Sequence, residues 1–411
     1  MSDKQTPLGA LVTAGEGQTE AVEITPSIFM VKDISNAYLV TTSEGDVLVN
    51  TGFLNNGEKT KALFAPHRQG PLNAIVLTQA HADHFGGVPE LKEADTEVIA
   101  GKGFTETDQY FDDLKMFLGR RSGKLWASMT RRDGPPPVPP RIVPDVEVAG
   151  QLSFNLGGKR FEVIKVPGGE TLCSVIVWLP DEKTVFTGNL FGPVWRSMPN
   201  LTTVRGDKPR LVGPYLKSCE IVSDLGAELL ITGHGEPIFG VDKIRADIQA
   251  MHDAVQWIET ETIKVMNAGG TVYQAMQQIH LPAEMKIGEF HGQTKWTVRA
   301  VWEENGNWVK YEDGTTALFG SPVSTVYRDI AELAGGADKV AARAKALLDA
   351  DKPLEALHLV DVALGVDAAE PTALAVKKHA CQLLLARGGG QNLSETMWLK
   401  AEIADAEKAL G

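Results

Sequence analysis

The sequence has few cysteines, no long hydrophobic run and no block of basic residues. Its three cysteines, Cys173, Cys219 and Cys381, cannot all pair and have no CxxC spacing, so we expect small buried apolar side chains rather than a disulfide framework. No apolar run approaches the length of a membrane span. The first residues, MSDKQTPLGALVTAGEGQ, lack the basic-then-apolar pattern of a secretory signal. We therefore predict a cytoplasmic protein without a membrane partner.

The charge balance is acidic. The chain has 53 Asp and Glu residues against 40 Lys and Arg residues, which gives a formal net charge of -13. Such a surface repels nucleic-acid phosphates and anionic lipids, so we expect no nucleic-acid partner. The 43% content of hydrophobic residues is typical of a globular protein, and 411 residues are enough for two or three domains.

Two kinds of secondary-structure pattern divide the chain near residue 245. Residues 1–245 contain short β-branched runs separated by Gly, Asp and Asn, with helical patches between them, which predicts a mixed α and β domain. Residues 246–411 have helical periodicity instead. This region is either a dimerisation module or a helical cap on the first domain. Its apolar side chains recur at helical spacing in three sets: Val340, Ala344, Leu347 and Leu348; Leu357, Val360 and Leu364; Val376, Ala380, Leu383 and Leu384.

The segment AIVLTQAHADHFGG carries the clearest chemical signal. It reads as a buried strand that runs into a loop with the potential ligands Gln79, His81, Asp83 and His84. Residues two apart in an extended segment point to the same side, so the first three can project together while a bend turns His84 towards them. Imidazole and carboxylate are the usual zinc ligands, and a ligand loop at a strand end leaves one coordination position open for water. The loop therefore predicts a metal centre.

This loop and four further segments resemble the metallo-β-lactamase superfamily, whose loop signature is HxHxDH. Gln79 stands in place of the first histidine, and VLVNTG has Asn50 in place of the usual acid. PGGE, which includes Glu170, occupies the position of the usual PGH motif. FTGN ends in Asn189, where a metal-bridging acid is common, and ITGHG supplies His234. The resemblance implies an α/β fold, an αββα metallo-β-lactamase sandwich, for residues 1–245.

Two details resemble the alkylsulfatase branch of that superfamily. Glu170 after PGG is characteristic of the branch, and NLTTVRG matches its sulfate-binding segment at Asn200, Thr203 and Arg205. The similarity continues into residues 246–411, which implies an all-α dimerisation region and a homodimer. The branch also has a sterol-carrier-like domain at the C-terminus, which we do not expect in a sequence that stops at Gly411.

The family pattern implies two metal positions. One would be formed by Gln79, His81 and Glu170 and the other by Asp83, His84 and His234, with Asn189 between them. An amide oxygen is neutral and a weaker ligand than imidazole or carboxylate. We therefore predict one or two Zn²⁺ ions per chain, held firmly at the second position and weakly at the first, with Mn²⁺ or Fe as alternatives.

The resemblance implies a metal-dependent hydrolase that cleaves a small ester with metal-activated water, with an alkyl sulfate ester as the leading substrate. Asp83 and His84 are the predicted catalytic residues, and Asn200, Thr203, Arg205 and Trp195 are the predicted substrate-binding residues. Two alternatives are a carboxylic esterase or lactonase of the same fold and a metal-poor binding or assembly protein.

Some of these residues also have a simpler interpretation. Without the resemblance, Arg205 would be expected to pair with a loop carboxylate such as Asp207. Histidines outside the motif segments are interpreted as ordinary surface or core residues: His67, His252, His280, His291, His358 and His379.

Overall fold

The computed structural model describes residues 6–130, 138–306 and 308–411, without the side chains of residues 127–130. Contacts between residues divide the chain into two compact units. The larger unit consists of Pro7–Ser122 and Ser128–Asn305, and the smaller unit contains Gly123–Ala127 and Gly306–Gly411. The domain boundary predicted near residue 245 lies inside a helix that spans Val241–Asn267, and it stays a prediction.

The larger unit contains two β-sheets. Within the described residues, the first sheet has seven strands in sequence order: β1 (Val22–Thr25), β2 (Ile28–Val31), β3 (Ala37–Thr42), β4 (Gly45–Val49), β5 (Leu72–Leu77), β6 (Glu97–Gly101) and β7 (Val146–Val148). The second has six, in the order β13-β12-β11-β10-β9-β8: β8 (Gln151–Leu156), β9 (Lys159–Lys165), β10 (Val175–Leu179), β11 (Thr184–Gly188), β12 (Leu229–Thr232) and β13 (Ile238–Phe239).

Helices connect and cover these strands. Ten lie in or begin in the larger unit as the structure describes it: α1 (Pro7–Val12), α2 (Gly57–Phe64), α3 (Ala82–Phe85), α4 (Val88–Leu91), α5 (Phe104–Asp113), α6 (Lys115–Thr130), α7 (Val212–Asp224), α8 (Val241–Asn267), α9 (Val272–Gln278) and α10 (Thr294–Gly306). Strands β4 to β7 pair in parallel, and parallel neighbours need crossover connections, which helices α2 to α6 provide.

Three hydrophobic clusters show that the larger unit has an αββα arrangement. The inner cluster joins the two sheets, with Val40 and Val76 from the first and Val177 from the second. A second cluster packs helical residues such as Phe104 on the outer face of the first sheet. The third packs α7, α8 and α10 on the outer face of the second sheet. Both faces of each sheet are therefore covered, which explains why every residue of β3, β4 and β10 is buried.

The smaller unit is all-helical in its described part, as predicted. Its helices are α11 (Thr315–Leu318), α12 (Tyr327–Ala334), α13 (Ala337–Asp349), α14 (Pro353–Val366), α15 (Pro371–Arg387) and α16 (Leu393–Leu410). Four residues of the apolar periodicity, Val340, Ala344, Val360 and Val376, are buried in one cluster, and Leu347, Leu348 and Leu364 pack against it. Among the described residues, no helix has both the length and the apolar character needed to span a bilayer.

The two sheets position the residues that the motifs single out. Gln79, His81, Asp83 and His84 follow β5, and Asn50 follows β4, its parallel neighbour. Asn189 follows β11 and His234 follows β12, which are also parallel neighbours. The carboxyl ends of parallel strands meet at one edge of a sheet, so each sheet brings its own set of polar residues together.

Candidate metal centre

Asp83, His84 and His234 form a compact cluster of potential metal ligands. One ligand atom from each residue lies within 4.8 Å of the others. Asp83 Oδ2 is 3.7 Å from His84 Nε2 and 3.8 Å from His234 Nε2. The two imidazole rings are nearly perpendicular, with an interplanar angle of 89°. Three protein ligands with room for a fourth, exchangeable ligand are the usual arrangement of a catalytic zinc site.

The charge states of these three residues suit a cation. Burial lowers the pKa of His84 to about 4 and also lowers the pKa of His234. Burial by itself would raise the pKa of Asp83, but the neighbouring His84 and His234 lower it below its ordinary value. At neutral pH the cluster therefore consists of two neutral imidazoles and one carboxylate, which are the forms that bind a metal ion. The residues at this position fit one divalent ion.

A glycine allows the two histidines to approach. A Cβ atom on Gly233 would lie 2.2 Å from Asn189 Oδ1 and 2.9 Å from His84 Cε1. Both distances are far below van der Waals contact, so a larger residue would displace His84 or Asn189. This requirement is the physical reason for a glycine in the TGHG segment.

Gln79, His81 and Glu170 also lie together, and several of their polar atoms form hydrogen bonds. Gln79 Nε2 is 2.9 Å from His81 Nδ1 and 3.4 Å from Glu170 Oε2. Asn189 Nδ2 donates to the same Glu170 oxygen at 3.0 Å and lies 3.0 Å from His234 Nε2. Arg210 Nη1 donates to the other oxygen, Glu170 Oε1, at 3.0 Å. Both oxygens of Glu170 thus have hydrogen-bond donors, whereas His81 Nε2 and Asn189 Oδ1 are buried without a hydrogen-bond partner in the described part of the chain, and the second metal position stays a prediction.

The charges of His81 and Glu170 follow from these contacts. Burial would raise the pKa of Glu170, but Arg210 and His81 hold it well below its ordinary value. Burial would lower the pKa of His81, but its contacts with Asp207 and Glu170 raise it instead. His81 Nε2 is 3.5 Å from Asp207 Oδ2, on the side of the ring opposite Glu170. Two carboxylates therefore flank His81, and Arg210 pairs with both of them, with Nη1 3.0 Å from Glu170 Oε1 and Nη2 3.6 Å from Asp207 Oδ2.

The predicted anion pocket contains a carboxylate. Arg205 Nη2 lies 3.6 Å from Asp207 Oδ2, whose side chain is 6% exposed. This ion pair is the alternative contact that the sequence leaves open for Arg205. Within the described part of the chain, Asn200 Oδ1 and Thr203 Oγ1 are buried without a hydrogen-bond partner. A ligand with polar atoms would satisfy them. The anion pocket stays a prediction, because these two atoms favour it and the ion pair between Arg205 and Asp207 argues against it.

Trp195 is the predicted substrate-binding residue whose contacts point elsewhere. Its indole Nε1 donates to Asp247 Oδ2 at 2.9 Å, and its ring packs edge-on against Phe191. Both contacts belong to the packing around the second sheet and α8. The structure does not place Trp195 beside Asn200 or Arg205 through any described contact, and its role in substrate binding stays a prediction.

The sequence analysis assigned no role in the site to two residues that the structure places there. Arg210 is buried and bonds both Glu170 and the backbone oxygen of Asn200. His291 is also buried, its Nε2 lies 3.0 Å from Asn200 Nδ2, and burial lowers its pKa to about 3. Neither belongs to a motif. The signal for Arg210 would have been a second arginine five residues after Arg205, and no sequence signal singles out His291.

Comparisons with known families agree with this geometry. Residues 30–234 match the metallo-β-lactamase superfamily, and residues 271–397 match a family described as alkyl sulfatase dimerisation. Residues 30–234 are a metallo-β-lactamase domain. The family match spans β2 to β12 and includes each of the metal-ligand candidates.

The curated relatives of this chain include alkylsulfatases. A linear primary-alkylsulfatase of a Pseudomonas species is 24% identical over 74% of the chain, and an (R)-specific secondary-alkylsulfatase of Pseudomonas is 24% identical over 92%. The chain spans only 61% and 60% of their lengths. A solved structure of a stereoselective inverting sec-alkylsulfatase from Pseudomonas has a TM-score of 0.82 at 22% identity, covering 97% of this chain and 67% of that one. That likeness confirms the predicted fold.

Proposed function

We propose that the chain is a metal-dependent hydrolase of alkyl sulfate esters that uses one zinc ion. The observation that carries the proposal is the cluster of Asp83, His84 and His234, whose ligand atoms lie within 4.8 Å of one another. The alkylsulfatase relatives support the substrate class. The partnered state of Gln79 and Glu170 supports a single ion.

The residues of the cluster have distinct roles in this proposal. Asp83, His84 and His234 would hold a zinc ion, which would lower the pKa of a bound water to about 7 and so supply hydroxide at neutral pH. Asp83 is ionised, so its carboxylate would accept a hydrogen bond from a water at this position and orient it towards the ester. His84 and His234 are held by burial in the neutral form and bind through Nε2, which faces Asp83.

The neighbouring residues supply contacts for the two parts of an alkyl sulfate. Thr203 has a buried hydroxyl without a partner in the described structure, and it can donate to a sulfate oxygen. Arg205 presents a planar fork of donors that matches a tetrahedral oxyanion. A cavity beside Glu170 is walled by Tyr110, Phe111 and Leu172, and these side chains suit the hydrocarbon part.

An assay of sulfate release tests this function. Wild-type protein with added zinc is expected to release sulfate from a medium-chain alkyl sulfate, and Arg205→Ala is expected to raise KM by roughly 10-fold or more with a small change in kcat, because a charge-assisted contact is lost. Mass spectrometry after exhaustive dialysis should find one zinc ion per chain. Equal kinetics for the variant and the wild type would contradict the anion pocket, and two tightly held ions would contradict the single site.

The contact between Arg205 and Asp207 favours a second candidate, a carboxylic esterase. Asp207 offsets the charge of Arg205, and a pocket with balanced charge suits a neutral ester better than a sulfate monoester. The same assay separates the two candidates, because an esterase would hydrolyse only the matched carboxylic ester. No product from either ester, with no bound zinc, would instead favour a metal-poor binding or assembly role.

We also propose that the chain forms a homodimer through the segment from Trp308 to Leu333. Apolar side chains along this segment are unusually exposed, at 93% for Tyr311, 80% for Phe319 and 90% for Leu333. The match to the alkyl sulfatase dimerisation family covers the same residues, which favours a second copy of the chain as the partner. Burying large exposed apolar side chains is the main source of affinity in such interfaces.

A charge placed in this segment tests the dimer. Leu333→Asp and Phe319→Asp are each expected to raise the dimer dissociation constant at least 10-fold, because a carboxylate is costly to bury. Val143→Asp is the matched control, since Val143 is 74% exposed but lies in the larger unit. Analytical ultracentrifugation measures the constant. Dimers of wild-type strength in both segment variants would contradict this interface.

A further inference from the structure

Asn50 is a buried amide in contact with a proposed metal ligand. It follows β4, has a φ of 59° and is 1% exposed. Its backbone N–H donates to Val76 O at 2.9 Å, which holds the residue at the end of the parallel pair β4–β5. Asparagine is one of the few residues other than glycine that adopt this left-handed conformation readily.

Thr78 fixes which way the Asn50 amide points. Asn50 Oδ1 accepts from the backbone N–H of Thr78 at 2.9 Å and lies 3.0 Å from Thr78 Oγ1. A backbone N–H can only donate, so the oxygen of the amide must face Thr78. The NH₂ group of Asn50 consequently faces His84, with Nδ2 3.0 Å from His84 Nδ1.

This contact decides which ring nitrogen of His84 has the proton. An NH₂ group can only donate, so His84 Nδ1 is the acceptor, and the proton of the imidazole lies on Nε2. Ser35 does not reverse this assignment. Its hydroxyl donates to Gly233 O. The hydroxyl oxygen is 3.1 Å from His84 Nδ1 and 3.4 Å from Nε2, and an atom at such similar distances from both nitrogens does not lie along the lone pair of either one.

We propose that Asn50 is a positioning residue that holds His84 in the tautomer protonated at Nε2 and thereby weakens zinc binding at the Asp83, His84 and His234 cluster. The proposal rests on the metal site of the proposed function. An ion at this cluster needs the lone pair of His84 Nε2, which moves the proton to Nδ1, where it meets the N–H of Asn50. Metal-binding histidines ordinarily donate their second N–H to an acceptor, and Asn50 offers a donor instead.

Asn50→Asp provides the test. One carboxylate oxygen can keep the Thr78 contacts and the other can accept from His84 Nδ1–H, so the zinc dissociation constant is expected to fall by roughly 10- to 100-fold. Competition with a chromophoric chelator measures this constant. Asn50→Ala removes the donor without adding a charge and is expected to bind zinc at least as tightly as the wild type. Weaker binding by both variants would overturn the proposal.

A second measurement tests the assignment on the wild-type protein, and the Asn50→Asp variant adds a comparison. Nitrogen-15 NMR of the metal-free wild-type protein should show the His84 proton on Nε2, and Asn50→Asp should move it to Nδ1. A wild-type proton on Nδ1 would overturn the assignment even if the variant fails to fold. If none of the proteins binds zinc, the proposed function fails, whereas the wild-type tautomer still supports or overturns the effect of Asn50 on His84.

Discussion

We expect His84→Ala to abolish zinc binding and hydrolysis. His84 supplies one of the three proposed ligands and is completely buried between Asp83, Asn50 and Ser35. Alanine leaves the ion with only Asp83 and His234. Changes to residues behind a ligand cost about 10- to 100-fold in metal affinity, so loss of a ligand itself should cost more than roughly 100-fold. Mass spectrometry of the dialysed variant and a sulfate-release assay measure the two effects.

The control for this experiment is a histidine outside the cluster. His280 is exposed and lies after α9, so His280→Ala should keep the zinc content and turnover of the wild type. Zinc binding of wild-type strength in His84→Ala would show that the cluster does not hold the ion. Loss of activity with zinc retained would instead give His84 a role in turnover alone and contradict its role as a ligand.

Arg210→Ala is expected to destabilise the folded protein by about 3–5 kcal/mol at neutral pH, the usual cost of leaving one partner of a buried ion pair without the other. Arg210 and Glu170 are 5% and 8% exposed and are joined at 3.0 Å. Without the guanidinium, the Glu170 carboxylate stays buried with only the amides of Gln79 and Asn189 and the His81 ring as partners. Urea denaturation measures the change in the free energy of unfolding.

The pH dependence of this effect has a definite sign. The pKa of Glu170 in the folded protein is well below its ordinary value. The ionised carboxylate therefore contributes fully to the free energy of unfolding above the unfolded pKa, and this contribution is lost as the pH falls through the folded pKa. In Arg210→Ala the carboxylate loses its main cationic partner and its folded pKa rises. The difference in stability between wild type and variant should therefore shrink as the pH falls below about 4.5, the ordinary range for glutamate.

Two further variants separate the ion pair from general effects of mutation. Arg210→Met combined with Glu170→Gln removes both charges and should be less destabilised than Arg210→Ala alone. Lys217→Ala is a surface control, because Lys217 pairs with Glu220 in the exposed part of α7 and should change stability little. A single variant as stable as the wild type would contradict the importance of Arg210 for Glu170.

Three amides distinguish this centre from the superfamily pattern, and the direction in which each NH₂ group points determines its contacts in the site. Gln79 and Asn189 both direct an NH₂ group at Glu170 Oε2, and Asn50 directs one at His84. From the sequence, the amides at Gln79 and Asn189 read as weak oxygen ligands. In the structure, these amides act as donors to Glu170 and His84, which favours weak metal binding at the first position.

The sequence by itself indicated a mixed α and β domain followed by helices, the helical periodicity between Val340 and Leu384 and the grouping of Asp83 with His84, and the family resemblance added the αββα sandwich. These features depend on spacing between near neighbours and on motifs whose order is preserved along the chain. His234 joined them through the superfamily pattern, and the structure places it beside Asp83.

Only the tertiary structure decided how the polar groups of the site are paired. Arg210 meets Glu170 across 40 positions of sequence, and Asn50 meets His84 across 34. The pairing of Arg205 with Asp207 is closer in sequence, yet the sequence left it open beside an anion pocket. The direction of an amide or a guanidinium is set by the donors and acceptors that packing brings to it, and those neighbours come from other strands and loops. The spacing of residues along the chain therefore does not predict which donors and acceptors meet in the site.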